Sequence, residues 1–385
     1  MTRAYLDYNA TAPLRPEARA AMMAALDATG NASSVHGEGR AARKIVEAAR
    51  AEVAALVGAE GKAVTFTSGG TEANDTVLTP DWTFAGKPHR FDLLFHGATE
   101  HPSVTAGGRF ASDAVRAIPV DTDGVVDMGT LETMLAEAER QGQCALVSLM
   151  LANNETGAIQ PVAEIAATAH AHGAVVHTDA VQAAGRIPID IAKLDVDVLT
   201  LSAHKIGGPQ GAGAIVRASD DWTFASLLTG GGQEKRHRAG TENVAAIAGF
   251  GAAARASAAG VVDAARLAAW RERLAEIIGP KAVVFSEGAP RLSNTLCFAI
   301  PGLAAETLLI ALDLAGVAVS SGSACSSGKV SPSHVLAAMK VPPALAKYAI
   351  RISLGWASTE ADLDLFATAW RAVLSHVAPG EIQAA

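Results

Sequence analysis

From about residue 45 to 216 the chain alternates short apolar runs with longer segments of mixed polarity. The runs "AVTFTS", "DLLFHG", "ALVSLML", "AVVHTDA", "DVLTLS" and "GAIV" have strand length and are rich in aliphatic and β-branched residues. Between the third and fourth, "PVAEIAATAHAH" puts Val162, Ile165, Ala166 and Ala169 at the i, i+3, i+4 and i+7 positions of one helical face, with Pro161 at its start. Strands separated by such segments predict a parallel sheet covered by helices, an α/β fold.

Near residue 255 the texture changes. Leu267, Trp270, Leu274, Ile277 and Ile278 form the apolar stripe of an Ala-rich helix that Gly279 and Pro280 stop. Beyond it come a strand-like "NTLCFAI", a helix around "AETLLIALDLAG", a Ser/Gly-rich stretch "SSGSACSSGK", and a last helix through Leu363, Phe366, Ala367 and Trp370. Thr359 and Asp362 have capping-box spacing at the start of that helix. The expected division is a large domain of residues 15–254 and a small domain made of 1–14 together with 255–385. No internal repeat or long linker interrupts it.

Composition narrows the function. With 385 residues, half of them hydrophobic, the chain can bury a large core, and one core seldom grows beyond about 250 to 300 residues. A net charge of -8 argues against nucleic-acid binding, and no run of about 18 apolar residues predicts a membrane span. The opening "MTRAYLDYNATAPL" lacks the apolar stretch of a signal peptide, so a cytoplasmic location is expected. Cys144, Cys297 and Cys325 show no CxxC spacing, which speaks against a zinc site or a disulfide framework. Cys144 and Cys297 sit in strand-like runs and read as buried structural thiols, whereas Cys325 lies in a Ser/Gly stretch that cannot bury it by itself.

Ligands of open α/β sheets sit outside the carboxyl ends of the strands, so the residues following each run carry the candidate chemistry. After "VTFTS", Gly69 and Gly70 allow close backbone approach and Thr71 opens a helix suited to a phosphate, although a plain tight turn explains the same residues. After "LLFHG", His101 could stack on a planar ring or move protons; a hydrogen-bonded structural histidine is the bland alternative. Asp179, on the same strand face as His177 and followed by Gln182, could hold a cationic heterocyclic nitrogen or simply cap a helix. After "DVLTLS" come Ala203, His204 and Lys205, the last a surface charge, a phosphate binder or an imine-forming amine. Together an imidazole, a carboxylate, a phosphate-suited turn and an amine make the set that pyridoxal 5′-phosphate requires.

The chain also resembles a known family. The motifs "TSGGTEAN", "TEHPSV", "NNETGAIQPV", "HTDAVQ", "SAHKIGGPQG", "GGGQEKRHRAGTENV" and "SSGSACSSG", in this order, are similar to those of the pyridoxal-phosphate-dependent cysteine desulfurases, the NifS- and IscS-like group within the class V aminotransferases. The likeness extends from "YLDYNATAPL" through "RISLGW". It implies an aminotransferase-like fold, with a mixed, mostly parallel seven-stranded sheet in the large domain and a smaller α+β domain.

The resemblance further implies roles. Lys205 is the Schiff-base lysine, His101 stacks on the cofactor ring, Asp179 pairs with the ring nitrogen, and Gln182 and Asn153 contact the phenolic side. Gly70, Thr71, Ser202 and His204 bind the phosphate, with Thr241 reaching over from a second subunit of a homodimer, and Ala203 is a further cofactor-binding position. Arg351 holds the substrate carboxylate, with Asn9 and Asn153 beside it. Cys325 is the nucleophile that takes sulfur from L-cysteine, leaving L-alanine and a persulfide, and its Ser/Gly-rich surroundings suit a group that must visit the substrate and then present its cargo. Lys205 and His101 are the proton movers. The partner implied is an iron-sulfur cluster scaffold or another sulfur acceptor; no permanent metal site is expected, and Cys325 would touch a scaffold's cluster transiently. Ala203 where a glycine is common, Asp75 where the family often reads "EANN", and the charged "KRHR" depart from the pattern without removing a reactive group. Competing readings are a selenocysteine lyase or another aminotransferase-like enzyme, and a non-catalytic sulfur-trafficking partner.

Overall fold

Seven strands hydrogen-bond into the central sheet of the computed structural model, which describes residues 3–260, 263–321 and 332–376. They are β1 (Val64–Thr67), β2 (Leu93–Gly97), β3 (Val115–Ile118), β4 (Ala145–Met150), β5 (Val175–Asp179), β6 (Val198–Ser202) and β7 (Gly213–Arg217). Their order is β1-β7-β6-β5-β4-β2-β3. Strands β2 to β6 run parallel to their neighbours among themselves, and β7 is antiparallel to both β1 and β6. The fold is therefore the α/β arrangement that the alternating runs predict, with the mixed, mostly parallel seven-stranded sheet that the resemblance implies in place of a purely parallel one.

All six runs became strands, and each of those strands is buried along its whole length, as sheets covered on both faces require. The strand that the pattern did not mark, β3, is the sheet's edge: Arg116 and Ala117 face solvent, so "VRAI" never forms an apolar run. A separate three-stranded sheet of Asp81–Phe84, Lys87–Arg90 and Trp222–Phe224 also escaped the pattern, because charged residues break it. The helix Val162–Ala171 buries the face read from its spacing, and Pro161 stands at its N-cap, one position before the first turn.

Helices Pro16–Asp27, Gly37–Ala55 and Val244–Gly260 pack together, and Val46, Val53, Ile247, Phe250 and Ala254 join one large hydrophobic cluster with the sheet. Helix Val244–Gly260 thus runs through residue 254. A second cluster gathers Leu267, Trp270, Leu274 and Ile278 with Leu296, Ile350, Ile352, Phe366 and Trp370. Its sheet is four-stranded and antiparallel, in the order Val283–Val284, Thr295–Ala299, Ala349–Ser353, Ser320–Ser321. The N-terminal arm belongs to this cluster through Ala4 and Leu6, and Ala4–Tyr5 pairs in parallel with Val317–Ala318.

Local signals closed as expected at two helix ends. Gly279 takes φ +85° and ψ 174° after helix Ala264–Ile278, a conformation that only glycine adopts freely. Asp362 accepts from Thr359 N–H at 2.7 Å and its hydroxyl at 2.9 Å at the start of Glu360–His376. Cys297 is fully buried within its strand, whereas Cys144 lies one residue before β4 and is half-buried, which corrects its reading as a buried strand thiol. Among the described residues no helix is long and apolar enough to cross a membrane.

Candidate active site

Because β2, β4, β5 and β6 are parallel, their carboxyl ends emerge on one edge of the sheet, and the candidate residues follow those ends. Gly70, Thr71, His101, Asp179, Gln182, Ser202, His204 and Lys205 line one cavity of about 250 Å³, which Asn9 and Arg351 enter from the N-terminal arm and the strand Ala349–Ser353. The sequence placed these ten residues in one site, and the fold brings them together.

The turn after β1 is built for close approach. A Cβ on Gly213 of β7 would lie 2.5 Å from the carbonyl carbon of Gly69, so β7 can pass under the turn only with glycine there. Helix Gly70–Val77 begins at this turn, and its first N–H groups have no partner within the helix.

Asp179 accepts hydrogen bonds at both oxygens, from Val181 N–H at 2.9 Å and from Asn74 Nδ2 at 2.8 Å, the pattern of an ionised carboxylate. Asn74 also donates to Ser103 Oγ at 2.9 Å and accepts from the Thr200 hydroxyl at 2.6 Å. Ser103 meets His101 Nδ1 through its hydroxyl at 2.8 Å and through its N–H at 3.2 Å, so Nδ1 is an acceptor and the neutral ring carries its proton on Nε2. Burial lowers the His101 pKa, with Lys205 and His334 adding to the effect and Asp179 opposing it.

Lys205 Nζ donates to the carbonyls of Asn9 at 2.6 Å and Ala10 at 2.8 Å. Gln182 Nε2 donates to the same Asn9 carbonyl at 3.0 Å, and Gln182 Oε1 accepts from Arg186. Arg186 is half-buried; desolvation pulls its pKa down to about 9, and the charge of Arg351 adds to the drop. His204 is pushed down to about 4, first by burial and then by Lys205 and Arg186, so it sits in the site as a neutral ring.

Arg351 is almost wholly buried; its Nη2 donates to Asp7 at 2.7 Å and its Nη1 to the Asn154 carbonyl at 2.9 Å. Its Nε is buried and has no partner among the described residues, on a side chain that lines the cavity. Asn9 Nδ2 donates to the same Asn154 carbonyl at 3.1 Å and to Thr295 Oγ1 at 2.9 Å. Two further carboxyls are buried nearby: burial raises Glu100 well above the ordinary range, and Glu155, bonded by the Ser333 hydroxyl at 2.6 Å, is pushed up to about 7.

Residues 4–366 match the aminotransferase class-V family. The chain belongs to that family.

Among relatives of this class V chain, a cysteine desulfurase of Cereibacter sphaeroides is 44% identical over 378 residues, covering 94% of each chain. The X-ray structure of a NifS-like protein from Rickettsia africae ESF-5 is similar with a TM-score of 0.86 and 36% identity, over 97% of this chain and 99% of that one. SspA in complex with cysteine is similar with a TM-score of 0.72 and 25% identity, over 91% and 98% of the two chains.

Four sequence candidates stand outside the class V cavity or the described residues. Asn153 is buried in its own turn, donating to the Thr99 carbonyl and accepting from the N–H groups of Glu155 and Thr156, so it does not line the cavity. Ala203 is fully buried and does not line the cavity. Thr241 lines a separate cavity of about 190 Å³ with Ser68 and Arg238. Cys325 lies outside the described residues. Sequence reasoning missed Asn74, Ser103 and Asn154, which do line the cavity. The one local signal for Asn74 is its place four residues after Gly70, one helical turn from the proposed phosphate turn.

Proposed function

We propose that this chain is a cysteine desulfurase that holds pyridoxal 5′-phosphate in the 250 Å³ cavity and converts L-cysteine to L-alanine, passing the sulfur to Cys325 as a persulfide. The observation that carries this reading is the meeting of the Lys205 amine with a doubly hydrogen-bonded Asp179 carboxylate in a cavity that opens on a helix start.

The donor set fits the cofactor. Asp179 would pair with the ring nitrogen, His101 would face the ring, Gln182 would meet the phenolic side, and Gly70, Thr71, Ser202 and His204 would surround the phosphate. Bound there and joined to Lys205, pyridoxal phosphate supplies an electron sink that weakens the bonds at the substrate's Cα.

The protein's own groups supply the rest. Arg351 orients L-cysteine by its carboxylate, and the unpartnered Nε gives the second prong of a bidentate contact. Asn9 acts beside it. Asn153 acts from behind, through the turn that holds the Asn154 carbonyl against both Arg351 and Asn9. Lys205 and His101 remove the proton from Cα, deliver a proton to Cβ once the sulfur has left, and return one to Cα, the additional proton coming from the substrate thiol. The Cys325 thiolate attacks the substrate sulfur, so an S–S bond forms as the Cβ–S bond breaks, and the electron pair left toward Cβ is protonated. L-cysteine and one thiol become L-alanine and one persulfide, with no outside oxidant.

The same reading includes a homodimer. Thr241 is turned toward a cavity other than that of its own Lys205, as a threonine serving a second copy's phosphate site would be. It also includes a cytoplasmic location, sulfur delivery to an iron-sulfur cluster scaffold or another acceptor protein, and a large domain divided from a small one that includes the N-terminal arm. The test is production of alanine and sulfide from L-cysteine with a thiol reductant, by the chain loaded with pyridoxal phosphate and by Cys325→Ala. Equal amounts of both products from the intact chain and neither from the variant support the reading. Equal turnover by both would favour an aminotransferase or lyase.

A further inference from the structure

Two ion pairs tie residues 233–241 to both flanks of the turn that starts helix Gly70–Val77. On one flank, Arg50 grips Glu234 with two parallel hydrogen bonds, Nη1 to Oε2 at 2.7 Å and Nη2 to Oε1 at 2.8 Å. Both side chains are buried, and Glu234 Oε2 also accepts the N–H of Phe66 in β1 at 2.9 Å, two residues before Ser68. On the other flank, Arg238 Nε donates to Glu72 Oε1 at 2.9 Å, and Glu72 Oε2 accepts the N–H of Ser68 at 2.8 Å, closing the turn on itself.

The segment between the two ties is strained. Glu234, Lys235 and Arg236 take φ of 46°, 56° and 72°, three successive left-handed residues without a glycine. Such backbone persists only where its surroundings over-determine it, and the buried Arg50–Glu234 pair is what does so here. Buried ion pairs add little net stability compared with apolar packing, and their best-attested use is to fix one geometry. Neither Glu234 nor Arg238 lines the 250 Å³ cavity, yet both share the wall of the neighbouring one with Thr67, Ser68 and Thr241.

We propose that Glu234 and Arg238 are positioning residues that hold the Gly69–Thr71 turn in the shape that receives a phosphate, acting through Phe66 and Arg50 on one side and through Glu72 and Ser68 on the other. The inference rests on the pyridoxal phosphate reading above. It separates the phosphate from the ring, because neither residue touches the groups assigned to the ring.

The experiment compares binding of pyridoxal 5′-phosphate with binding of pyridoxal, which lacks the phosphate, to the full chain and to Glu234→Gln, Arg238→Gln and Arg238→Lys, followed by visible absorbance. The glutamine variants are expected to bind pyridoxal phosphate about tenfold more weakly, the size of one charge-assisted hydrogen bond, with pyridoxal binding unchanged and Arg238→Lys partly rescued. Arg238, on the more exposed of the two pairs, supplies a folded variant even if Glu234→Gln does not fold. Equal weakening of both compounds, or no change in either, overturns the inference while leaving the functional reading standing. An intact chain that binds neither compound overturns that reading and the inference with it.

Discussion

Asn74 Nδ2 donates a hydrogen bond to Asp179 Oδ2 at 2.8 Å, while the Asn74 carbonyl accepts from Thr200 and its second amide proton points to Ser103. One buried amide therefore connects helix Gly70–Val77, the ends of β5 and β6, and the Ser103 that orients His101. Replacing it with alanine leaves a carboxylate and two hydroxyls short of a buried partner. Asn74→Ala is expected to lower stability by about 2 to 3 kcal/mol in urea unfolding and to shift the visible absorbance of the loaded protein, because Asp179 loses one of its two anchors. A variant with wild-type stability and spectrum would show that the amide is incidental.

The pH dependence of stability has a resolvable part in Glu155. Burial pushes its folded pKa up to about 7 from an ordinary 4.5, against the opposing effects of the Ser333 hydroxyl and Arg351. A carboxyl raised in the folded state contributes stability that is fully present below the unfolded pKa and lost as pH rises toward the folded one. Relative to Glu155→Gln, which keeps an acceptor for Ser333, the intact protein should lose about 1.4 kcal/mol per pH unit between pH 4.5 and 7 and then level off. Urea midpoints across that range measure it. A stability difference independent of pH would mean that Glu155 titrates as an ordinary surface acid.

The cysteines should separate by reactivity. Cys297 is fully buried and its pKa is raised by burial and by the charge of Glu155, so it has neither access nor thiolate character. Aromatic disulfide reagents are expected to leave Cys297 unmodified in the folded protein and to reach it only after unfolding, as read by peptide mass spectrometry. Labelling of Cys297 at the rate of half-buried Cys144 would contradict this.

The sequence carried the sheet and most of the cavity for one physical reason. Strands buried on both faces must be continuous apolar runs, and ligand groups must follow their ends, so Lys205, Asp179 and His101 announce themselves by position. The edge strand β3 has no such requirement, and "VRAI" shows nothing. Asn74 hid for a different reason: a polar residue in a short helix normally reads as a solvated face, and only the arrival of β5 and β6 turns that face inward. Asn153 illustrates the converse. Its neighbours in "NNETG" carry the resemblance, yet its own side chain is consumed by a local turn, and Asn154 supplies the carbonyl that faces the site. The ion pairs of Glu234 and Arg238 join residues far apart in the chain, and "EKRHR" alone looks like a solvated charge run.

The most direct test of the account is a single turnover. The full chain, loaded with pyridoxal phosphate and free of reductant, is mixed with one equivalent of L-cysteine, quenched, and examined by peptide mass spectrometry alongside alanine quantitation. The account predicts one extra sulfur atom on the peptide that contains Cys325, matched by one alanine per sulfur transferred. Alanine formed with no added sulfur on that peptide, or sulfur found on Cys144 or Cys297 instead, would contradict it.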